Sequence, residues 1–74
     1  MSILLEALRK KYESQISCAK ANIHVYAHSP SGIGDHPDLV SAVDEEMTKL
    51  STAQDKLDVL ERHYGKERKS TSTI

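Results

Sequence analysis

The chain has 74 residues, of which 38% are hydrophobic and 28% charged, and its formal net charge is −1. This length allows one domain, whose core alone rarely supplies more than about 3–5 kcal/mol of stability. The single cysteine, Cys18, excludes an internal disulfide, and a lone cysteine is typical of a reducing compartment. The near-neutral charge gives no strong attraction to nucleic acid or to an anionic membrane.

The longest apolar run covers residues 3–5, which is far too short for a signal peptide or a membrane span. We therefore expect a soluble, cytoplasmic protein with no membrane partner. A chain this small and without disulfides gains stability most directly by associating with another chain.

The first part of the chain carries one apolar stripe, because its apolar side chains recur at steps of three or four residues. These side chains are Leu5, Leu8, Tyr12, Ile16, Ala19, Ile23 and Tyr26. Ser2 is a suitable N-cap, and Pro30 disfavours a helical residue just before it. The pattern predicts a helix over about residues 2–28.

The second part of the chain carries a stripe with the same spacing. Its side chains are Leu39, Val43, Met47, Leu50, Ala53, Leu57, Leu60 and Tyr64. Asp35 is the predicted N-cap, Pro37 then falls in the first turn, and Gly65 ends the helix. The pattern predicts a loop over residues 29–35, a helix over about residues 36–64, and a flexible polar and basic tail over residues 66–74.

Two helices of matched length joined by a short loop predict an all-α antiparallel hairpin, in a single domain over residues 1–65. We expect the two stripes to form its core or the interface between copies. Apolar side chains beside the stripes, such as Leu4 and Val59, leave surface for a second hairpin to cover. A homo-oligomer is therefore expected, with a dimer that forms a four-helix bundle as the first choice and docking on a larger protein as the alternative.

The loop between the helices concentrates glycine and proline. Its glycines permit a tight turn, and the apolar side chain of Ile33 can cover the end of the hairpin. A turn with no other role is the simpler interpretation, and a recognition loop is the alternative. The residues of that possible recognition loop are Gly32, Ile33, Gly34, Asp35 and His36.

Three histidines suggest a metal site. His24 and His28 are one helical turn apart, which is the spacing at which two imidazoles bind one metal ion, and the hairpin returns His36 to the same end. However, no glutamate is placed as a general base, and histidines are common at the edge of a surface helix. Histidines that face solvent are therefore the default, a metal-binding hairpin is an alternative, and no cofactor is expected.

The start of the first helix is basic, because Arg9, Lys10 and Lys11 are consecutive. A solvated helix face is the simpler interpretation, and an RNA-binding hairpin dimer that uses these residues and the tail is the alternative. Nothing in the sequence resembles a catalytic triad or a pair of catalytic carboxylates, and a two-helix hairpin offers little concave surface. We therefore expect no enzymatic activity.

Residues 19–64 contain the hinge sequence GIGDHPDLV (residues 32–40), followed by an acidic amphipathic helix. This stretch resembles small uncharacterised proteins encoded by tailed phages, including the T4-like phages of cyanobacteria. The resemblance implies an accessory protein acting in the host cytoplasm, and it supplies no activity and no binding residues. In shape alone, the predicted hairpin also resembles the Rop-type RNA-binding dimer. The sequence predicts a non-enzymatic helical interaction protein that associates with itself. A host or phage protein is the expected further partner.

Overall fold

The computed structural model describes residues 2–28 and 38–65, and within them the chain forms two α-helices. Helix α1 is Ile3–His28 and helix α2 is Leu39–Tyr64, each of 26 residues and about 39 Å long. The prediction of two long helices is confirmed. The predicted loop, the possible recognition loop and the predicted tail lie outside the described residues.

The two helices pack side by side and run in opposite directions. Arg9 near the start of α1 lies 3.8 Å from Glu61 near the end of α2. Asn22, further along α1, is hydrogen-bonded to Glu46, which comes earlier in α2. Residue numbers therefore rise along one helix as they fall along the other, and the predicted all-α hairpin arrangement is confirmed. We call the end of the hairpin with residues 3 and 64 the open end, and the end with residues 28 and 39 the hinge end.

Helix α1 begins where the sequence predicts. The hydroxyl oxygen of Ser2 accepts a hydrogen bond from the backbone N–H of Leu5 at 3.2 Å, and the Ser2 carbonyl accepts one from the N–H of Glu6 at 2.8 Å. Ser2 thus satisfies two of the N–H groups that the first turn of a helix leaves without partners. The predicted N-cap of α1 is confirmed.

Helix α2 begins three residues later than predicted, because Asp38 is its N-cap. The Asp38 carboxylate accepts a hydrogen bond from the N–H of Ser41 at 3.0 Å, and the Asp38 carbonyl accepts one from the N–H of Ala42. The prediction of Asp35 as the N-cap is therefore wrong, and Pro37 precedes the cap instead of lying in the first turn. Either aspartate matches the local capping pattern, and Asp38 makes the bond.

Helix α2 ends at Tyr64 and is capped by Gly65, as predicted. The N–H of Gly65 donates to the carbonyl of Glu61 at 3.0 Å. The φ of Gly65 is −82°, so this cap does not need the left-handed conformation that glycine often supplies. Space is the reason for glycine here, since a Cβ atom on residue 65 would lie 2.6 Å from the Glu61 carbonyl oxygen.

The core is the seam, by which we mean the line of side chains where α1 and α2 face each other. Within the described residues, the buried apolar side chains are Ile16, Ala19, Ala53 and Leu60. Two of these four are alanines, and none of the described side chains is completely buried. The helices therefore pack against each other while removing little apolar surface from water.

The other side chains of the predicted stripes are less buried than these four. Those that are half-buried are Leu5, Leu8, Tyr12, Ile23, Tyr26, Leu39, Val43, Leu50 and Leu57. Met47 and Tyr64 are exposed. The single hairpin thus leaves most of each stripe in partial contact with solvent.

Removing the carboxylate of the α2 N-cap should destabilise the hairpin. Asp38→Ala leaves the Ser41 N–H without its acceptor, and the loss of a cap costs about 1 kcal/mol. For a domain of this size, we expect the melting temperature to fall by about 4–8 °C, as measured by circular dichroism. The matched control is Asp35→Ala, at the N-cap position that the sequence suggested. An equal loss in both variants would contradict the assignment of the cap to Asp38.

Candidate functional site

Glu46 is the charged side chain that the described part of the chain buries, at 7% exposure. The side-chain amide of Asn22 on α1 donates to its Oε1 at 3.0 Å, and the amine of Lys49 donates to its Oε2 at 3.1 Å. These hydrogen bonds, first the one from Asn22, lower the pKa of Glu46 although burial opposes them. The carboxylate is therefore kept ionised in a contact that links the two helices.

Glu46 occupies a seam position that the sequence analysis gave to Met47. A strict alternation of four-residue and three-residue steps passes from Val43 through Glu46 to Leu50, and this alternation keeps a line of side chains on one helix face. Met47 is rotated away from the seam and is 46% exposed. The prediction that Met47 lies in the core of the hairpin is therefore wrong. The prediction that it lies in an interface between copies is not tested and stays a prediction. The regular spacing is the sequence signal that identifies Glu46 as a seam residue. The charge of Glu46 made it look like a surface residue.

Arg9 makes a second polar contact between the helices, near the open end. Its guanidinium pairs with Glu6 and Glu13 on α1, at 2.7 Å for Glu13, and approaches Glu61 on α2. The hydrogen bond with Glu6 is the largest of the interactions that raise the pKa of Arg9. The side chain is 21% exposed and lies among three carboxylates. It is therefore not free to contact phosphate, as the predicted RNA-binding role requires.

A groove of about 400 Å³ with a mixed polar and apolar lining runs along the hairpin between these contacts. It is lined by Ser14, Gln15, Cys18, Ala19, Asn22, Glu46, Thr48, Lys49, Thr52, Ala53 and Lys56. Cys18 is an exposed free thiol in the hairpin. In the part of the chain that the structure describes, every buried side-chain polar atom has a hydrogen-bond partner. The groove therefore holds no buried polar group that needs a ligand.

Two apolar patches lie towards the ends of the hairpin. The hinge-end patch surrounds a hollow of about 400 Å³ that Asp44 also lines. Its apolar side chains are Leu39, Val40, Val43 and Met47. The open-end patch surrounds a hollow of about 250 Å³ that Asp55 and Lys56 also line. Its apolar side chains are Leu5, Leu8, Tyr12, Val59, Leu60 and Tyr64. Most of these are predicted stripe residues, so the same side chains that form the seam also reach the surface.

The histidines predicted as metal candidates are placed only in part. His24 and His28 are exposed in the last turns of α1, and their rings stack with centroids 4.2 Å apart. The third candidate, His36, lies outside the described residues. Over residues 2–28 and 38–65, no group of three or more His, Cys, Asp or Glu side chains is placed to hold a metal ion. The structure thus brings together two of the three candidates.

Comparison with known proteins found no matching family model, no matching curated protein and no matching solved structure. The resemblance to small phage proteins therefore stays a prediction. Neither α1 nor α2 has an apolar stretch long enough to cross a membrane. Any functional conclusion depends on the surfaces of the hairpin itself.

Neutralising Glu46 should destabilise the hairpin in a pH-dependent way. Because the folded-state pKa is lowered, the ionised carboxylate stabilises the fold above the ordinary glutamate pKa of about 4.3, and this contribution is lost as the pH falls through the lower folded-state value. Glu46→Gln keeps the shape of the side chain but removes its charge. We expect this variant to melt below the wild type at pH 7, and the gap to close towards about pH 3.

Melting curves recorded by circular dichroism at both pH values test this prediction. Glu45→Gln is the matched control, because it makes the same change at the neighbouring exposed position and should alter the melting temperature little. A gap between Glu46→Gln and wild type that stays the same at pH 7 and pH 3 would show that the charge of Glu46 does not stabilise the seam.

Proposed function

We propose that this protein is a non-enzymatic helical interaction protein, which associates with a second copy of itself and binds a protein partner through its outer helix faces. The observation that carries the proposal is the contrast between a small seam and a large exposed apolar surface. Among the described residues, the exposed large apolar side chains are Ile3, Leu4, Val25, Val40, Met47, Val59 and Tyr64. These seven exposed side chains outnumber the two large apolar side chains that are buried in the described part of the chain, Ile16 and Leu60.

The energetics of the seam favour association. Burying a leucine or isoleucine completely contributes about 1.5–3 kcal/mol, and the described seam buries one of each, Leu60 and Ile16. The other two buried apolar side chains are alanines, which have little surface to remove from water. A partner that covers the apolar patches would bury several more large side chains. Association is therefore the most direct source of further stability for this chain.

The exposed charges favour one orientation of a second copy. The hinge end carries the acidic residues Asp38, Asp44 and Glu45. At the open end, the glutamates that surround Arg9 are paired with it, and the exposed basic residues are Lys10, Lys11 and Arg62. Placing the hinge end of one hairpin beside the open end of another brings opposite charges together, whereas aligning like ends places carboxylates beside carboxylates. We propose the reversed arrangement.

The same surfaces give less support to the other functions. An RNA-binding dimer needs cations that are available to phosphate, and Arg9 is already engaged by carboxylates of its own chain. An enzyme needs a positioned nucleophile and base, and the groove that contains Cys18 has no histidine among its lining residues. A protein-binding role requires only the exposed apolar patches.

Sedimentation of the intact protein at micromolar concentration tests the self-association. We expect a dimer or larger species for the wild type. Met47→Glu in the hinge-end patch and Val59→Glu in the open-end patch each place a charge where we expect contact. At least one of them should weaken association by tenfold or more, since about 1.4 kcal/mol of lost apolar burial corresponds to a factor of ten.

Ser51→Glu is the matched control, because it adds the same charge to an exposed position of α2 that belongs to neither patch. It should leave the sedimentation profile unchanged. A wild-type protein that sediments as a well-folded monomer at these concentrations would overturn the proposal. So would a dimer that neither patch variant weakens.

A further inference from the structure

We infer that His24 and His28 form a binding site for a divalent transition-metal ion at the hinge end of α1. The inference is independent of the proposed self-association, because both ligands lie on one helix of one chain. It also requires fewer ligands than the three-histidine site suggested by the sequence, since two histidines are enough to bind the ion.

The two imidazoles are already adjacent. They are spaced four residues apart on one face of α1, and their ring centroids are 4.2 Å apart at an interplanar angle of 25°. Both side chains are exposed, so a metal ion can reach them and the rings can turn towards it. One ion can therefore contact a nitrogen of each ring without any change in the helix backbone.

A hydrogen bond prepares His28 as a ligand. Its Nδ1 lies 3.0 Å from the backbone carbonyl oxygen of His24. A carbonyl can only accept, so Nδ1 carries the hydrogen and donates it, and the lone pair of the neutral ring is on Nε2. Metal-binding histidines usually donate their second ring nitrogen to a carbonyl or carboxylate in this way, which fixes the tautomer and the orientation of the ring.

The chemistry of the pair selects the class of ion. Imidazole nitrogen suits zinc, copper and nickel, whereas calcium and magnesium require oxygen ligands. The site also lies at the C-terminal end of α1, where the partial negative charge of the helix dipole favours a cation. Two protein ligands leave the remaining coordination positions to water. The site therefore binds an exchangeable ion more weakly than a structural site with four protein ligands does.

Calorimetric titration of the full chain with zinc chloride, and separately with nickel chloride, tests the inference at pH 7.5. We expect binding that is weakened by about tenfold or more in both His24→Asn and His28→Asn, because substitutions that only support a ligand already cost 10–100-fold. In proton NMR spectra, the ring signals of His24 and His28 should shift on addition of zinc.

Three control variants identify the ligands. His63→Asn removes an exposed histidine in the last turn of α2, and Cys18→Ser removes the free thiol. Both should bind zinc as the wild type does, and so should His36→Asn. Unchanged affinity in His24→Asn and His28→Asn would overturn the inference. An equal loss in any of the three controls would overturn it too, because the pair would then not be the site.

Discussion

Two antiparallel helices can remove from water only the side chains along the line where they face each other, and the rest of this molecule follows from that constraint. The seam has small residues near its middle, with Ala19 on α1 and Ala53 on α2. Small side chains let helices approach closely but contribute little apolar area. The larger residues of both stripes therefore reach the surface, where they form the hinge-end and open-end patches. The surface that the hairpin cannot cover is the surface that we propose for binding.

Polar contacts at seam positions restrict how the two helices can pair. An apolar seam with alanines at its centre has similar contacts if one helix slides along the other by two turns. Such a slip would separate Glu46 from Asn22 and Arg9 from Glu61, and it would leave a buried carboxylate with only its neighbour Lys49 as a partner. Leaving a buried charge without its partner is costly, so these contacts fix the register even if they add little net stability.

Periodicity was sufficient to predict the helices but not the details that depend on contacts between them. The three-and-four spacing located α1 and α2, and Ser2 and Gly65 were recognisable as caps from sequence. The N-cap of α2 was not, because Asp35 and Asp38 both precede an apolar stripe and both match the local capping pattern. Local pattern alone cannot choose between two acceptable residues three positions apart.

The candidate site was harder to predict because its main polar residue looks like a surface residue. Glu46 lies between Glu45 and Met47 in an acidic segment. Of these residues only Met47 is hydrophobic, so the sequence pattern predicts Met47 as the stripe residue. The structure buries Glu46 because Asn22 on the other helix supplies a hydrogen bond, and that contact is absent from any local window of sequence. The spacing of His24 and His28, by contrast, was visible from the start, and what the structure added was the hydrogen bond that sets the tautomer of His28.

The central claim is that association completes a core that one hairpin leaves unfinished. Its most direct test is thermal unfolding of the wild-type protein over a hundredfold range of concentration. If a dimer is the stable form, mass action raises the melting temperature with concentration, by about 5–10 °C over this range. A cooperative transition whose midpoint is the same at every concentration would contradict the claim, because it would show that the single hairpin is stable on its own.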